Sequence, residues 1–501
     1  MFSAKPISGA EWGRLAVALS LGAAVLWWQL GAQAYLWDEY VTLMFTQAGW
    51  RELVVQYWDL DTHRPVYYAL QKLWNSTFGD SVVAVRSLPA ALVLLSIPAV
   101  FAFVRVVQGP KVAFAASLLA ATSPMFFYQG REIRMYCITT LMMTICLAAT
   151  LVLAQNARGA GMLSATKQGA LWLVFTLSAA IGFYGHAVTL LVVFVLGVWA
   201  LICAFSKLLP WSFFWKACAA AVLYGVLIAP AILPLLSHTS TTLGDSFWAP
   251  KPTLGHVYTT MASVYDYPFW MKPVVLALML AGLWHLRKMP HVCTLMALMV
   301  FGVPLVIWAI SFYKPIFLLR PLIWTGYIGV ILMAYGTFAF GKKLQWPLLA
   351  GVLAVQLVMI VQSYPTQGPQ DQYTAITPAL QALNIDAAVD TVILTNQGLE
   401  PGLRWHNPNL FAGDSFSFAY GKWNTEVIEA AYKAKAITPA ETRTIQLNSG
   451  RVILIEVTED PKNLPQGYTE VMESLMQRLN TWDKVSDSPS ATLRVSVYKR
   501  P

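Results

Sequence analysis

Trp12–Leu30 reads WGRLAVALSLGAAVLWWQL, and after the six residues GAQAYL it is followed by Trp37-Asp38-Glu39-Tyr40. The first stretch holds a single charge, Arg14, and as a helix spans about 28 Å, close to the hydrocarbon thickness of a bilayer. No small-residue cleavage site ends it, so it reads as an uncleaved first transmembrane helix. A pair of acids then waits just beyond the membrane. This juxtaposition of an apolar span and a charged, aromatic turn sets the theme for the chain.

Apolar residues make up 57% of the 501 positions and charged residues only 12%, with a mean hydropathy of +0.54. Soluble domains carry about a quarter charged residues, so this chain lacks the polar surface that water demands. Residues 1–363 hold 22 Lys and Arg against 10 Asp and Glu, and residues 364–501 hold 12 against 15. The excess of positive charge therefore belongs to membrane connections, which argues against nucleic acid as the partner. All five cysteines lie in or beside apolar segments, a pattern that gives neither a disulfide framework nor a thiolate metal site.

Apolar runs near 13–32, 82–104, 112–128, 133–154, 168–185, 187–205, 217–236, 273–286, 291–312, 321–340 and 346–362 predict about eleven transmembrane helices. With the N-terminus cytoplasmic, each cytoplasmic connection carries two basic residues, as in Arg287-Lys288 and Lys342-Lys343. An odd number of spans places the C-terminus outside. Nine of the ten acids before residue 364 then face outward, with Glu11 the exception. Ten basic residues share that side against the insertion preference. They point to an anionic ligand, or else to ion pairs among outer loops.

Two outer loops are long. Residues 33–81 place Tyr40, Leu43, Met44 and Gln47, then Trp50, Leu53 and Val54, at helical spacing, which predicts an amphipathic helix in the membrane interface. Residues 237–272 read either as a mobile cover over a cleft or as a disordered loop. From residue 364 the texture becomes that of a soluble α/β domain. Strands are predicted at 391–395, 451–457 and 492–498, with helices at 378–383, 426–435 and 468–479. Arg404-Trp405-His406 reads as a solvated loop, with contact to a sugar as the alternative. The architecture is thus a polytopic α-helical membrane domain, 1–363, followed by an extracytoplasmic α/β domain, 364–501.

Five stretches predicted to face outward carry a family resemblance. They are Trp37-Asp38-Glu39-Tyr40, His63-Arg64-Pro65-Val66-Tyr67-Tyr68, Arg86-Ser87-Leu88-Pro89, Ser123-Pro124 with Arg131-Glu132-Ile133-Arg134-Met135-Tyr136, and Lys314-Pro315-Ile316-Phe317-Leu318-Leu319-Arg320. In order, spacing and side they resemble the GT-C superfamily of polyprenyl-phosphate-dependent glycosyltransferases. The nearest branch holds bacterial protein-mannosyl, aminoarabinose and galacturonosyl transferases. The resemblance covers about the first 340 residues. Val66 stands where the family often has a second proline, and Pro321 follows Arg320 where it often has tyrosine. Both departures bear on the subfamily more than on the reaction.

The resemblance implies an inverting transfer of a sugar from a polyprenyl-phosphate donor to a hydroxyl of a lipid, glycan or protein. It also implies the extracytoplasmic face of a bacterial inner membrane and a role in cell-envelope glycan, lipopolysaccharide or glycoprotein modification. Such chemistry needs a general base for the acceptor hydroxyl and cations for the departing phosphate. The family assigns the base to the first acid of the pair, here Asp38, while Asp38 or Glu39 as a helix cap is the plainer reading. Glu132 either orients the acceptor or neutralises Arg131 or Arg134. Arg64, Arg134 and Arg320 are the leading phosphate ligands, with Lys314 and Arg131 behind them, because a guanidinium offers a fixed fork to phosphate oxygens. Each alone equally suits snorkelling to lipid headgroups. His63, Tyr67, Tyr68, Tyr136 and His186 are expected to line the substrate, although interfacial aromatics need no such role. Some GT-C branches use a divalent metal, and His63, Asp61 and His256 are the nearest ligand set. Without HxH or HxxxH spacing the expectation is no cofactor.

A flippase for lipid-linked sugars is the alternative function. It predicts charges within the spans and on both faces, whereas the acids here are almost confined to one side and no inverted repeat is evident. A polymerase or ligase of lipid-linked glycans keeps its largest loop between late spans, whereas the acidic loop here follows the first. A membrane scaffold has no need of charges gathered at outer turns.

Overall fold

A computed structural model of the chain describes all residues except 1–6, 60–64, 160–162, 243–251, 266, 364–371, 387–389, 419–431, 446, 448–449, 459–466 and 491. The helices in chain order are α1 (Gly9–Trp27), α2 (Trp37–Gln47), α3 (Trp50–Val54), α4 (Val66–Phe78), α5 (Val82–Gln108), α6 (Pro110–Ala121), α7 (Pro124–Gln129) and α8 (Tyr136–Ala157). They continue with α9 (Ala165–Gly185), α10 (Thr189–Phe205), α11 (Trp211–Thr242), α12 (Leu254–Tyr265), α13 (Lys272–Leu286), α14 (Pro290–Ala297), α15 (Val303–Ser311), α16 (Leu319–Leu322), α17 (Thr325–Ala339) and α18 (Gln345–Gln362). The C-terminal region adds α19 (Gln372–Ala382), α20 (Glu400–His406) and α21 (Tyr468–Leu479), with strands β1 (Asp390–Leu394), β2 (Ser415–Phe418), β3 (Lys435–Ile437), β4 (Arg451–Val457), β5 (Asp483–Pro489) and β6 (Leu493–Lys499).

Every predicted span falls on helix. Among the described residues seven helical stretches are long and apolar enough to cross a membrane: Gly9–Trp27, Val82–Gln108, Tyr136–Ala157, Ala165–Gly185, Trp211–Leu233, Pro290–Ser311 and Gln345–Gln362. Pro110–Ala121, Thr189–Phe205, Lys272–Leu286 and Thr325–Ala339 are shorter apolar helices. The predicted run 112–128 is broken at Thr122-Ser123, where Pro124 opens α7 without a helical N–H to lose. A π turn over Leu298–Gly302 joins α14 to α15 just ahead of Pro304, absorbing the backbone bond that proline cannot make.

Chain contacts divide the molecule into two compact units. The first comprises Met1–Leu30, Thr62–Tyr67 and Leu73–Tyr364, and the second Gly31–Asp61, Tyr68–Lys72 and Pro365–Pro501. Within the first, helix ends are secured by short polar devices. Ser8 and Glu11 cap α1 reciprocally, and the Glu11 carboxylate also takes Nε of Arg105 from the end of α5 at 2.7 Å. This pairing accounts for the one acid on the basic side. Deeper in, α13 and α17 approach so closely that a side chain on Gly282 would strike the Leu332 carbonyl, and one on Gly336 the Leu278 carbonyl. Lipid gives helices no hydrophobic reason to associate, so such backbone proximity supplies the dispersion contact that holds them.

Within the second long loop, where 243–251 and 266 lie outside the described residues, Leu254–Tyr265 forms α12. The Tyr265 ring lies on Gly329 of α17, and the Val264 carbonyl abuts Gly326. Beyond it, a buried chain runs from Thr122 Oγ1 to Gln356 Oε1 and from Gln356 Nε2 to the Tyr267 hydroxyl, each 2.6 Å.

In the second unit the strands form one mixed sheet, order β3-β2-β1-β4-β6-β5, parallel from β3 to β4 and antiparallel across β4-β6-β5. Strands β2, β3 and β5 were missed by sequence pattern. β2 and β3 are only four and three residues long, and β5 is polar and largely exposed. The predicted helix 426–435 is corrected at its end, where Lys435 belongs to β3; positions 426–431 lie outside the described residues. α21 matches its prediction and lays Val471, Leu475 and Leu479 against Ile393, Phe418, Val452 and Leu454 of the sheet. At the edge of this core Arg451 holds Asp390 with both forks of its guanidinium, which keeps that carboxyl below its usual range.

Two outcomes follow from these contacts. Gly336→Leu has no room against the Leu278 carbonyl and is expected to lower the melting temperature of the purified protein by ten degrees or more. Gly351→Leu, where nothing lies within 4 Å of the added carbon, leaves it within about two degrees. Glu400, fully buried at the start of α20, accepts the N–H groups of Lys433 and Ala434 at 2.6 and 3.1 Å, yet burial pushes its carboxyl up to about 7. The folded state then keeps a proton that the unfolded chain releases, so stability falls as pH rises from about 4.5 through 7. Glu400→Gln removes that slope. Thermal melts should move in the variant's favour between pH 5 and pH 8, and a constant difference would refute the assignment.

Candidate functional site

Within the first unit two of the predicted motifs, 131–136 and 314–320, meet where helices break. Between α7 and α8 the chain leaves helical geometry for Gly130–Met135, and Arg131, Glu132 and Arg134 are all buried, at 4, 4 and 6% exposure. Charges are taken from water only where they are paired or used, so three in four residues inside an apolar bundle mark this turn as special. Arg131 turns toward the end of α1. Its guanidinium donates to the carbonyls of Trp28 and Gln29 and lies over the Phe127 ring at 4.2 Å. Gln29 has a left-handed backbone (φ 50°), which bends the chain as it leaves the first span.

Glu132 reaches the other way, to Nη2 of Arg320 at 3.8 Å. This long ion pair ties the α7–α8 break to the stretch before α17. The Glu132 side chain is 3% exposed and that of Arg320 40%. Arg134 sits two residues on, its N–H given to the Glu132 carbonyl at 2.7 Å and its own carbonyl capped by the Cys137 thiol.

A small recess adjoins Arg320, lined by Tyr136, Thr139, His186, Val188, Ile323 and Trp324. His186 ends α9, and its Nδ1 accepts the Val188 N–H at 3.2 Å, which turns the ring toward Tyr136 with centroids 5.8 Å apart. Close approach is possible because Gly185 faces Thr139 and Ile138 without a side chain. Trp324 was not singled out from the sequence. Its indole N–H is buried with no hydrogen-bond partner among the described residues. Its spacing of four residues from Arg320 was the available signal. Tyr67 is buried in this unit, and Lys314 lies near the face of Tyr313 at 6.0 Å. His63, Arg64 and Asp61 fall outside the described residues. His256 gives its Nε2 to the Phe317 carbonyl at 2.9 Å, and among the described residues no group of three metal-ligating side chains occurs.

The second unit holds the acidic pair. Trp37–Gln47 is helical as the spacing predicts, but Tyr40 and Thr42–Thr46 are buried within the unit rather than presented as a free amphipathic face. Glu39, 1% exposed, accepts the Leu36 N–H at 2.8 Å and so serves as the cap of α2. Asp38 is half-buried in the first turn, and its carbonyl takes the Thr42 hydroxyl at 3.2 Å. Tyr68 stacks on Phe45 with centroids 4.7 Å apart, so the protein covers one face of its ring. Arg404-Trp405-His406 is not a solvated loop: it ends α20, with Arg404 buried and His406 bonded to the Tyr40 hydroxyl at 2.9 Å.

An apolar helical bundle whose charges gather at breaks, followed by an α/β domain, is the fold this chain shares with the solved structures it superimposes on. It superimposes on ArnT from Cupriavidus metallidurans bound to undecaprenyl phosphate with a TM-score of 0.64, at 11% identity, over 98% of each chain. The apo state of the same protein gives 0.62 at 12% identity, over 98% of this chain and 97% of that one. The archaeal oligosaccharyltransferase AglB from Archaeoglobus fulgidus, in complex with an inhibitory peptide and a dolichol-phosphate, gives 0.53 at 11% identity, over 89% of this chain and 69% of its own. No family model matches the sequence, and no curated protein matches it.

Arg131→Lys retains the charge but not the two-carbonyl fork at the end of α1. Loss of about 1–3 kcal/mol is expected, measured as a lower melting temperature in detergent. An unchanged melt would show that the α1 end is held by other contacts.

Proposed function

We propose that the protein is an inverting glycosyltransferase that moves a sugar from a polyprenyl-phosphate donor to an acceptor hydroxyl at the extracytoplasmic face of the inner membrane. The observation that carries this reading is the Glu132–Arg134 turn buried in the bundle, joined to the partly exposed Arg320 side chain. Its support comes from the GT-C fold, which neighbours crystallised with undecaprenyl phosphate and dolichol-phosphate share.

In this reading Asp38 is the general base. Its carboxylate takes the proton as the acceptor oxygen bonds to the anomeric carbon, while the bond from that carbon to the phosphate oxygen breaks. The leaving group is polyprenyl phosphate, and inversion follows from attack opposite it. Arg320 and Arg134, with Arg64 and Lys314, hold the phosphate as its charge rises. Arg131 contributes by fixing the turn. Glu132 orients Arg320 through their ion pair. Tyr136, His186, Tyr67, Tyr68 and His63 are assigned to contact with substrate, and the reaction is read as needing no metal or other cofactor. Sugar release from the donor sets this apart from a flippase, which moves the lipid intact.

Purified protein is mixed with a labelled polyprenyl-phosphate sugar and an acceptor extract, and free polyprenyl phosphate is followed. Asp38→Asn should cut turnover at least a thousandfold while the melting temperature holds; near-wild-type turnover would refute the base. Arg320→Ala should weaken binding of undecaprenyl phosphate at least tenfold in a titration, and equal affinity would remove Arg320 from the phosphate site.

A further inference from the structure

The helix bearing Asp38 is too short to hold itself. α2 has eleven residues, and isolated helices shorter than about 12–15 residues are marginal in water. Asp38 is its second residue, in the turn where helices fray, and the neighbouring Leu36 and Trp37 are each 45% exposed. Burial secures Glu39, Tyr40 and residues 42–46 of α2, while Leu36 and Trp37 on the other side of Asp38 stay exposed.

That exposed end is instead tied by side chains to one segment of the C-terminal domain. The Trp37 indole donates to the Gly398 carbonyl at 2.9 Å. Three residues on, the Tyr40 hydroxyl meets Nε2 of His406 at 2.9 Å. Between these anchors the Tyr40 ring is held edge-on by Tyr373, centroids 5.0 Å apart, and by Tyr35 at 5.2 Å. Tyr373 in turn rests on Gly402, where any side chain would occupy the ring's place, and its hydroxyl reaches the same Gly398 carbonyl at 3.4 Å. Both residues flanking Asp38-Glu39 are thus fixed by Gly398–His406, a stretch fewer than ten residues long.

We propose that His406 is a positioning residue for the reaction: through Tyr40, together with the Trp37–Gly398 bond, the C-terminal domain sets the orientation of the Asp38 carboxylate. This rests on the role given above to Asp38. A base displaced by about 1 Å loses on the order of a hundredfold in rate, so two hydrogen bonds at the fraying end of a short helix carry weight beyond their contribution to stability.

The test uses the full-length protein with Tyr40→Phe, His406→Ala and their combination, because phenylalanine preserves the packed ring. Each single variant should lower kcat by about 10- to 100-fold while the affinity for undecaprenyl phosphate stays within threefold, and amide hydrogen exchange across residues 38–42 should quicken. The double variant should be no worse than either single one, since both remove the same bond. His406→Gln, which can still bond the hydroxyl, should recover most of the rate. Multiplicative losses in the double variant, unchanged exchange in α2, or faster exchange with unaltered kcat would each overturn the proposal. If the wild-type protein releases no sugar from lipid donors, the glycosyl-transfer reading fails, and the exchange data still decide whether His406 holds α2.

Discussion

The hydrocarbon of a bilayer offers no hydrogen bonds, and the rest of the structure depends on that constraint. Each span must satisfy its own main chain, so irregular backbone and charge survive only where protein encloses them. Here they collect in Gly130–Met135, in the turn at His186 and in the approach to Arg320. These places share a cause. Pro124 begins α7 afresh, His186 ends α9, and the chain from Phe312 to Leu318 leaves helix before α16. The recess beside Arg320 lies where such interruptions leave side chains of separate helices together. The close α13–α17 contact at Gly282 and Gly336 performs the complementary task of holding the wall that such gaps weaken.

The soluble part obeys the opposite rule. It has water to solvate its edges, so it spends charge inside its core only with partners. Asp390 is fully engaged by Arg451, while Glu400 relies on two backbone N–H groups and the more distant Arg404 at 3.9 Å. The difference in partner geometry explains opposite outcomes for two buried acids. The bidentate guanidinium depresses one carboxyl, and desolvation wins at the other. Glu400 opens the same short helix that ends in His406, so the stiffness of α20 begins at a carboxyl poised near neutrality.

Much of the membrane part was legible because hydrophobic length is a strong, local signal. Runs such as Val82–Gln108 and Tyr136–Ala157 need no tertiary knowledge to be read as spans. Glu132 and Arg320, taken from separate motifs nearly two hundred residues apart, meet at 3.8 Å. The roles within those motifs were less readable. Glu39 as the cap of α2 and Arg131 as the cap of α1 depend on where a backbone ends, which composition does not encode. The soluble domain was harder still. β2 and β3 are too short for periodicity, β5 is polar, and Arg404-Trp405-His406 looks like a loop until Tyr40 supplies its partner.

The charge at the bundle site bears on the proposed chemistry in a further way. Arg131, Arg134 and Arg320 against Glu132 leave a net charge of +2 (three minus one) in the turn and its partner. A sugar phosphodiester carries one negative charge, whereas the departing polyprenyl phosphate approaches two. A fixed excess of two therefore favours the leaving group over the donor, and catalysis gains only from interactions that strengthen toward the transition state. Glu132 sharpens that bias. At 3.8 Å it is close enough to orient Arg320, and a phosphate that gains charge as the bond breaks draws more from a guanidinium so placed.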